Sequence, residues 1–184
     1  MSFFSRKSNI GCGNSLLPVK LKEEKQCLVT VGDVSDKVLA GYSKYHIDGI
    51  HIDLESEEID GYYDYMILSE VLEHLKNPEK TITGLKNHAS IFFITIPNSA
   101  FYRYRLHLMF YGRFFTQWVY HPSEHLRFWS HIDFLDWLDA MGLTVIHCES
   151  SNGFSFFGLL PKLKNIWKNL FGHQILYVCK KTQD

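Results

Sequence analysis

Four short runs of apolar and β-branched residues punctuate the first half of the chain: residues 26–31 (QCLVTV), 49–53 (GIHID), 65–68 (YMIL) and 91–96 (IFFITI). Such runs read as strands covered on both faces, the setting of a parallel sheet. Helical segments fall between them, at residues 15–25, 36–45 and 71–75, the last continuing into 78–85. Asn77-Pro78-Glu79 is a strong helix start, with a capping amide, a proline at the first helical position and a carboxylate against the helix dipole. After Ile96 the pattern breaks. Pro97-Asn98 ends the strand, and an aromatic, arginine-containing stretch, residues 99–129, reads as an insertion. Residues 130–141 then form a helix capped by Ser130, with Phe134, Leu135, Leu138 and Met141 on one face and Gly142 past its end. Residues 144–148 and 175–180 are the last two strands. Alternating strand and helix predict a single α/β domain with a doubly wound, mostly parallel sheet. The segment Arg6-Lys7-Ser8-Asn9-Ile10 is polar and near the terminus, so it is expected at an edge or poorly formed.

Composition narrows the class. Of 184 residues, 46% are hydrophobic and 21% charged, which suits a packed core and excludes a disordered or collagen-like chain. Nineteen basic against twenty acidic residues leave a net charge of −1, so no overall field draws the chain to nucleic acid or an anionic membrane. No apolar run approaches the roughly 18–20 residues of a membrane span. The four cysteines, Cys12, Cys27, Cys148 and Cys179, are widely spaced and read as reduced thiols. With no export signal at the start, the expected location is the cytoplasm.

Candidate chemistry gathers where strands end. Gly11-Cys12-Gly13 precedes a helix, and Asp33 follows Gly13 by 20 residues at the end of the next strand. This is the spacing of a nucleotide site: glycine lets backbone approach a ligand, and the carboxylate accepts from ribose hydroxyls. Asp53 ends the third strand, where it could meet an adenine amine, and Ser69-Glu70 ends the fourth.

In this order, the glycine loop, the acid after the second strand and the segment DYMILSEVLEHLKNP resemble the class I S-adenosylmethionine-dependent methyltransferases. Within them the chain is most similar to the MetW family associated with methionine biosynthesis. The similarity is carried by Asn98, Arg103-Tyr104-Arg105-Leu106-His107-Leu108, Gly112-Arg113, His125-Leu126-Arg127-Phe128 with Asp133-Phe134, and Gln174-Ile175-Leu176-Tyr177-Val178. The third glycine of the family loop and the acid of its first strand are absent: Asn14-Ser15 and Asn9 stand near those places.

The resemblance implies a Rossmann-like sheet with an antiparallel last strand and S-adenosyl-L-methionine as cofactor, held by Gly11, Gly13, Asp33, Asp53, Ser69 and Glu70. It also implies a small-molecule acceptor. The implied chemistry is in-line attack on a sulfonium methyl, for which alignment contributes about 7–11 kcal/mol and no protein nucleophile is required. His74 and His125 are candidate bases because imidazole titrates near neutrality, and Asn98 joins them on the acceptor side. Arg103 and Arg105, with Arg113 beyond, could hold an acceptor anion. No metal is read from His121-Pro122-Ser123-Glu124-His125 and His131, since Pro122 breaks the helix that would align His121 with His125. A second reading is a catalytically weakened methyltransferase-fold protein that binds another enzyme, with an acyltransferase partner implied by the MetW resemblance. The weakened loop and the aromatics from Phe101 to Trp118 favour it. Nucleic-acid methylation ranks below a small-molecule acceptor.

Overall fold

The computed structural model describes residues 5–114, 125–153 and 163–182. Phe115, Trp118, His121 and the rest of 115–124 lie outside the described residues, as do 154–162. In chain order the elements are β1 (Arg6–Ile10), α1 (Leu17–Lys25), β2 (Leu28–Asp33), α2 (Asp36–Ser43), β3 (Asp48–His51), β4 (Tyr63–Ser69), a single 3-10 turn at Leu72–His74, α3 (Pro78–Leu85), β5 (Ala89–Pro97), α4 (Tyr102–Tyr111), α5 (His131–Ala140), β6 (Leu143–Gly153), two short helical turns α6 (Leu163–Ile166) and α7 (Lys168–Phe171), and β7 (Gly172–Lys181). Seven strands form one sheet in the order β3-β2-β1-β4-β5-β7-β6. All pairings from β3 to β5 are parallel, while β7 runs antiparallel to both β5 and β6. The doubly wound α/β class and its antiparallel last strand are therefore as expected.

The first strand is not as expected. β1 lies inside the sheet, Arg6–Ile10 in register with Leu28–Gly32 on one side and Lys7–Ile10 with Tyr65–Leu68 on the other. Its two cations stand where the chain enters the sheet. The Arg6 guanidinium sits over the Tyr63 ring at 5.5 Å, Lys7 Nζ over Tyr65 at 5.1 Å, and the Arg6 N–H donates to Asp64. These contacts let two cations flank a buried strand whose inner half, Ser8–Ile10, is closed to solvent.

Other boundaries follow local chemistry. In α3, Asn77 accepts from the Lys80 N–H at 3.2 Å, and in α5 Ser130 and Asp133 exchange hydrogen bonds of 3.1 Å in a capping box. Phe134 and Leu138 of α5 are fully buried, with Phe134 stacked on Trp137 and tilted against Tyr177. The expected helix over 71–75 is only the Leu72–His74 turn, because the chain reverses through a left-handed Glu70 (φ 54°) just before it. Inside the insertion the chain forms the regular helix α4, none of whose side chains is buried. β6 runs to Gly153, beyond its expected end, and its pairing with β7 shifts register at three places between Val145 and Gly153. No helix among the described residues is long and apolar enough to cross a membrane.

Two apolar clusters cover the sheet. The larger joins Met66, Leu68, Phe92, Ile94, Ile96 and Tyr177 to α3 and α5; the smaller packs Val29 and Val31 against Val19 of α1 and Tyr42 of α2. In the middle of β1, Ser8 Oγ and Asn9 Oδ1 are buried without a hydrogen-bond partner. A buried hydroxyl left unsatisfied costs about 1–3 kcal/mol. Ser8→Ala is therefore expected to raise unfolding stability by about 1 kcal/mol in urea titration; a loss of stability would show that the hydroxyl is satisfied.

Candidate functional site

The sheet order reverses direction between β1 and β4, which opens a crevice at the carboxyl ends of those strands, the place where open α/β sheets take ligands. The backbone builds one wall. Leaving β1, the chain bends at Gly11 (φ 65°), and the N–H groups of Gly11 and Cys12 both donate to the Gly32 carbonyl, at 2.7 and 3.2 Å. A Cβ on Gly11 would lie 2.5 Å from Val71 Cγ2, so only glycine fits against the turn after β4. Gly13 (φ 48°) faces open space.

Asp33, at the end of β2, ties this bend in place. Its Oδ2 accepts from the Gly13 N–H at 3.0 Å and its Oδ1 from the Ser35 N–H at 3.0 Å. The Cys12 thiol points to the same carboxylate at 3.9 Å. Burial, reinforced by the Asp33 charge, pushes that thiol up to about 11, so it stays protonated. From behind, the buried Tyr42 shares its hydroxyl proton between the carbonyls of Gly13 and Ser15, at 2.9 and 2.7 Å.

Across the crevice, Asp53 Oδ1 accepts from the Glu55 N–H at 2.9 Å and Oδ2 from Ser56 Oγ at 2.8 Å, which hold its carboxyl below the usual range. Ser69 Oγ lies 2.9 Å from Thr95 Oγ1, and the Glu70 N–H donates to the Thr95 carbonyl at 3.0 Å. The cleft so formed measures about 230 Å³ and is lined by Ile10, Gly11, Asp33, Asp53, Glu70 and His74 among others, with Val34, Ile52 and Leu54 as apolar wall. Two larger concavities, of about 630 and 360 Å³, lie at the start of β5 and beside α3, away from the carboxyl ends of the parallel strands.

At the rim, the His74 and His125 rings meet edge to face with centroids 4.7 Å apart. Between them and the core sits Glu73, only 1% exposed, with neither carboxylate oxygen hydrogen-bonded. Burial pushes its carboxyl up to about 8, and the nearby Glu70 adds a smaller upward push. The Glu73 carbonyl accepts from the N–H groups of Leu126 and Arg127 at 2.8 and 3.1 Å, which anchors the chain after His125.

The structure thus gathers Gly11, Asp33, Asp53, Glu70 and His74 around one cleft, with Gly13 bonded to Asp33, Ser69 just before Glu70, and His125 against His74. Two expectations for the acceptor side are corrected, Asn98 and Arg105. Asn98 is fully buried, and its Nδ2 donates to the carbonyls of Lys168, Asn169 and Gly172 while its Oδ1 accepts from the N–H groups of Ala100 and His131. That amide is used up in holding α7, α5 and the start of the insertion together. Arg105 turns its guanidinium to the carbonyls of Ala100 and Asn169 instead of the cleft, whereas Arg103 is exposed and its charge acts on the Tyr104 and His173 side chains that the Glu70 charge also reaches. Glu73 and Tyr42 were missed by sequence reasoning. Glu73 carried a signal, a charge set between the apolar Leu72 and Leu75; the role of Tyr42 depends on a contact 29 residues away and carried none.

Residues 9–148 match the family model described as a methyltransferase domain. No curated protein sequence matches significantly. Among solved structures, the chain is similar to a SAM-dependent methyltransferase from Archaeoglobus fulgidus (17% identity, TM-score 0.67, 97% of this chain and 87% of that one). Coclaurine N-methyltransferase bound to N-methylheliamine and SAH is also similar (14%, TM-score 0.70, 98% and 69%), as is magnesium protoporphyrin IX methyltransferase from Synechocystis with bound SAM (14%, TM-score 0.63, 97% and 71%).

The buried carboxyl of Glu73 makes stability depend on pH. Folded protein holds a proton on it up to about pH 8, whereas the unfolded chain releases that proton near 4.5, so stability falls as pH rises between those values and is flat above. Glu73→Gln removes this slope. In chelator-treated protein, the variant should match the parent near pH 5 and exceed it by a few kcal/mol at pH 9 in denaturant titrations; parallel pH profiles would refute a buried, unpaired acid.

Proposed function

We infer, since the chain belongs to the methyltransferase-domain family, that its cleft binds S-adenosyl-L-methionine and that the protein transfers the methyl group to a small-molecule acceptor. The observation that carries this reading is the meeting of the Gly11 bend with the carboxylates of Asp33 and Asp53 and with Glu70 at the switch point of the sheet. The residues fit such a cofactor. Asp33 accepts two N–H bonds and keeps further lone pairs for ribose hydroxyls; Val34, Ile52 and Leu54 offer an apolar slot for a base beside Asp53; Gly11, Gly13 and Glu70 would receive the amino-acid portion. When bound, the cofactor supplies an electrophilic sulfonium methyl. The chain's own contribution is alignment and exclusion of water, with His74 on the cleft wall and His125 behind it on the acceptor side. Coclaurine N-methyltransferase and magnesium protoporphyrin IX methyltransferase, both similar in fold, support a small-molecule acceptor by the acceptors in their names.

The MetW likeness favours an acceptor in methionine biosynthesis and a cytoplasmic setting. It also supports a second reading, a weakened enzyme that docks on an acyltransferase. The outer face of α4 favours this alternative, since Phe110 and Tyr111 are 71% and 73% exposed.

Calorimetric titration with S-adenosylhomocysteine separates the two. The enzyme reading expects one site per chain, with affinity reduced about tenfold or more in Asp33→Ala, the range for losing hydrogen bonds to a charged group. Absence of binding by the parent protein would overturn that reading in favour of the docking protein. Tyr42→Phe, which loosens the loop from behind, is expected to weaken binding less than Asp33→Ala and to lower stability by about 1 kcal/mol.

A further inference from the structure

Glu73, His74 and His125 each offer one ligand atom, and these atoms all lie within 4.8 Å of one another. Two imidazole nitrogens and a carboxylate oxygen form a donor set that suits first-row divalent cations, and such sites commonly leave coordination positions open. Donors about a tetrahedral ion at ordinary bond lengths stand roughly 3.4 Å apart, so side-chain adjustment alone closes the present spacing. An independent observation points to a ligand: Glu73 is 1% exposed, and both of its oxygens lack a hydrogen-bond partner. A burial of that kind is costly unless the group is matched by a cation or a proton. The backbone holds the three donors in register, because the Glu73 carbonyl binds the N–H groups of Leu126 and Arg127 and so fixes the chain on which His125 sits.

We propose that Glu73, His74 and His125 bind one divalent first-row cation at the rim of the cleft. His74 also lines the cleft beside Glu70 and Gly11, so an ion held there would lie at the edge of the space open to an acceptor. We assign an open position on the ion to a hydroxyl or carboxyl oxygen of the acceptor; this second part rests on the methyltransferase reading, whereas the ion site does not. His121, the partner considered from sequence, lies outside the described residues, and the expectation that Pro122 keeps it from His125 plays no part in the present donor set.

The test is a titration of chelator-treated protein with Co²⁺, followed by visible absorption and calorimetry. One equivalent is expected to bind, to give ligand-field bands and to be displaced by Zn²⁺. His125→Ala and Glu73→Gln should each weaken binding about 100-fold or more, and the two variants together guard against one of them failing to fold. Acetohydroxamate, an oxygen chelator, should shift the bands if a position is open; unchanged bands would overturn the acceptor-oxygen assignment. Absence of stoichiometric binding, or equal affinity in parent and variants, would overturn the ion site. S-adenosylhomocysteine titrated in chelator reports separately on the cofactor reading, so the two can fail independently.

Discussion

The contact between the Gly11 bend and Val71 sets where every part of the site stands. No side chain fits between them, since a Cβ at residue 11 would fall 2.5 Å from a Val71 methyl. The loop leaving β1 is thereby pressed onto the turn leaving β4, and the two walls of the cleft become one packed unit. From that seam the other placements follow. Gly32 accepts the N–H groups of the bend, Asp33 reaches Gly13, and on the far side Val71 leads directly into the turn that carries Glu73 and His74.

Several of the buried unsatisfied groups cluster around this seam. Ser8 and Asn9 lie in β1 just before the bend, and Glu73 lies in the turn just after it. Other buried polar groups are well matched: the Asn98 amide makes five hydrogen bonds, and Tyr177 pairs its hydroxyl with His131. Three unmatched residues beside one cleft place a share of the fold's instability where a ligand can relieve it.

Much of this was legible in the sequence, and the failures have particular causes. β2, β4 and β5 announce themselves through buried apolar runs, and α3 and α5 through Asn77 and Ser130, because these signals are local. β1 was misplaced because average polarity weighs Arg6 and Lys7 equally with Ile10, whereas the protein spends the cations on the rings of Tyr63 and Tyr65 at the strand's entrance. The glycine loop with Asp33 was visible as spacing, although its hydrogen bond was not. Asn98 was misread because an asparagine after a strand looks the same whether it faces an acceptor or ties three segments together; only the distant carbonyls of Lys168, Asn169 and Gly172 distinguish them. Glu73 was overlooked although Leu72 and Leu75 flank it, because a charge at a turn is ordinarily solvated and only the packing shows that this one is buried.

The two outer strands carry a consequence of their own. β6 is broken by three register irregularities, and β3 at the opposite margin has only four residues, with Asp48 at its start and His51 at its end. Irregular or short, charged margins are poor templates for recruiting a further strand from a neighbouring molecule. Intermolecular β-continuation, a route by which exposed sheets polymerise into fibres, is therefore closed off at both ends, and a protein companion would have to be met through side chains.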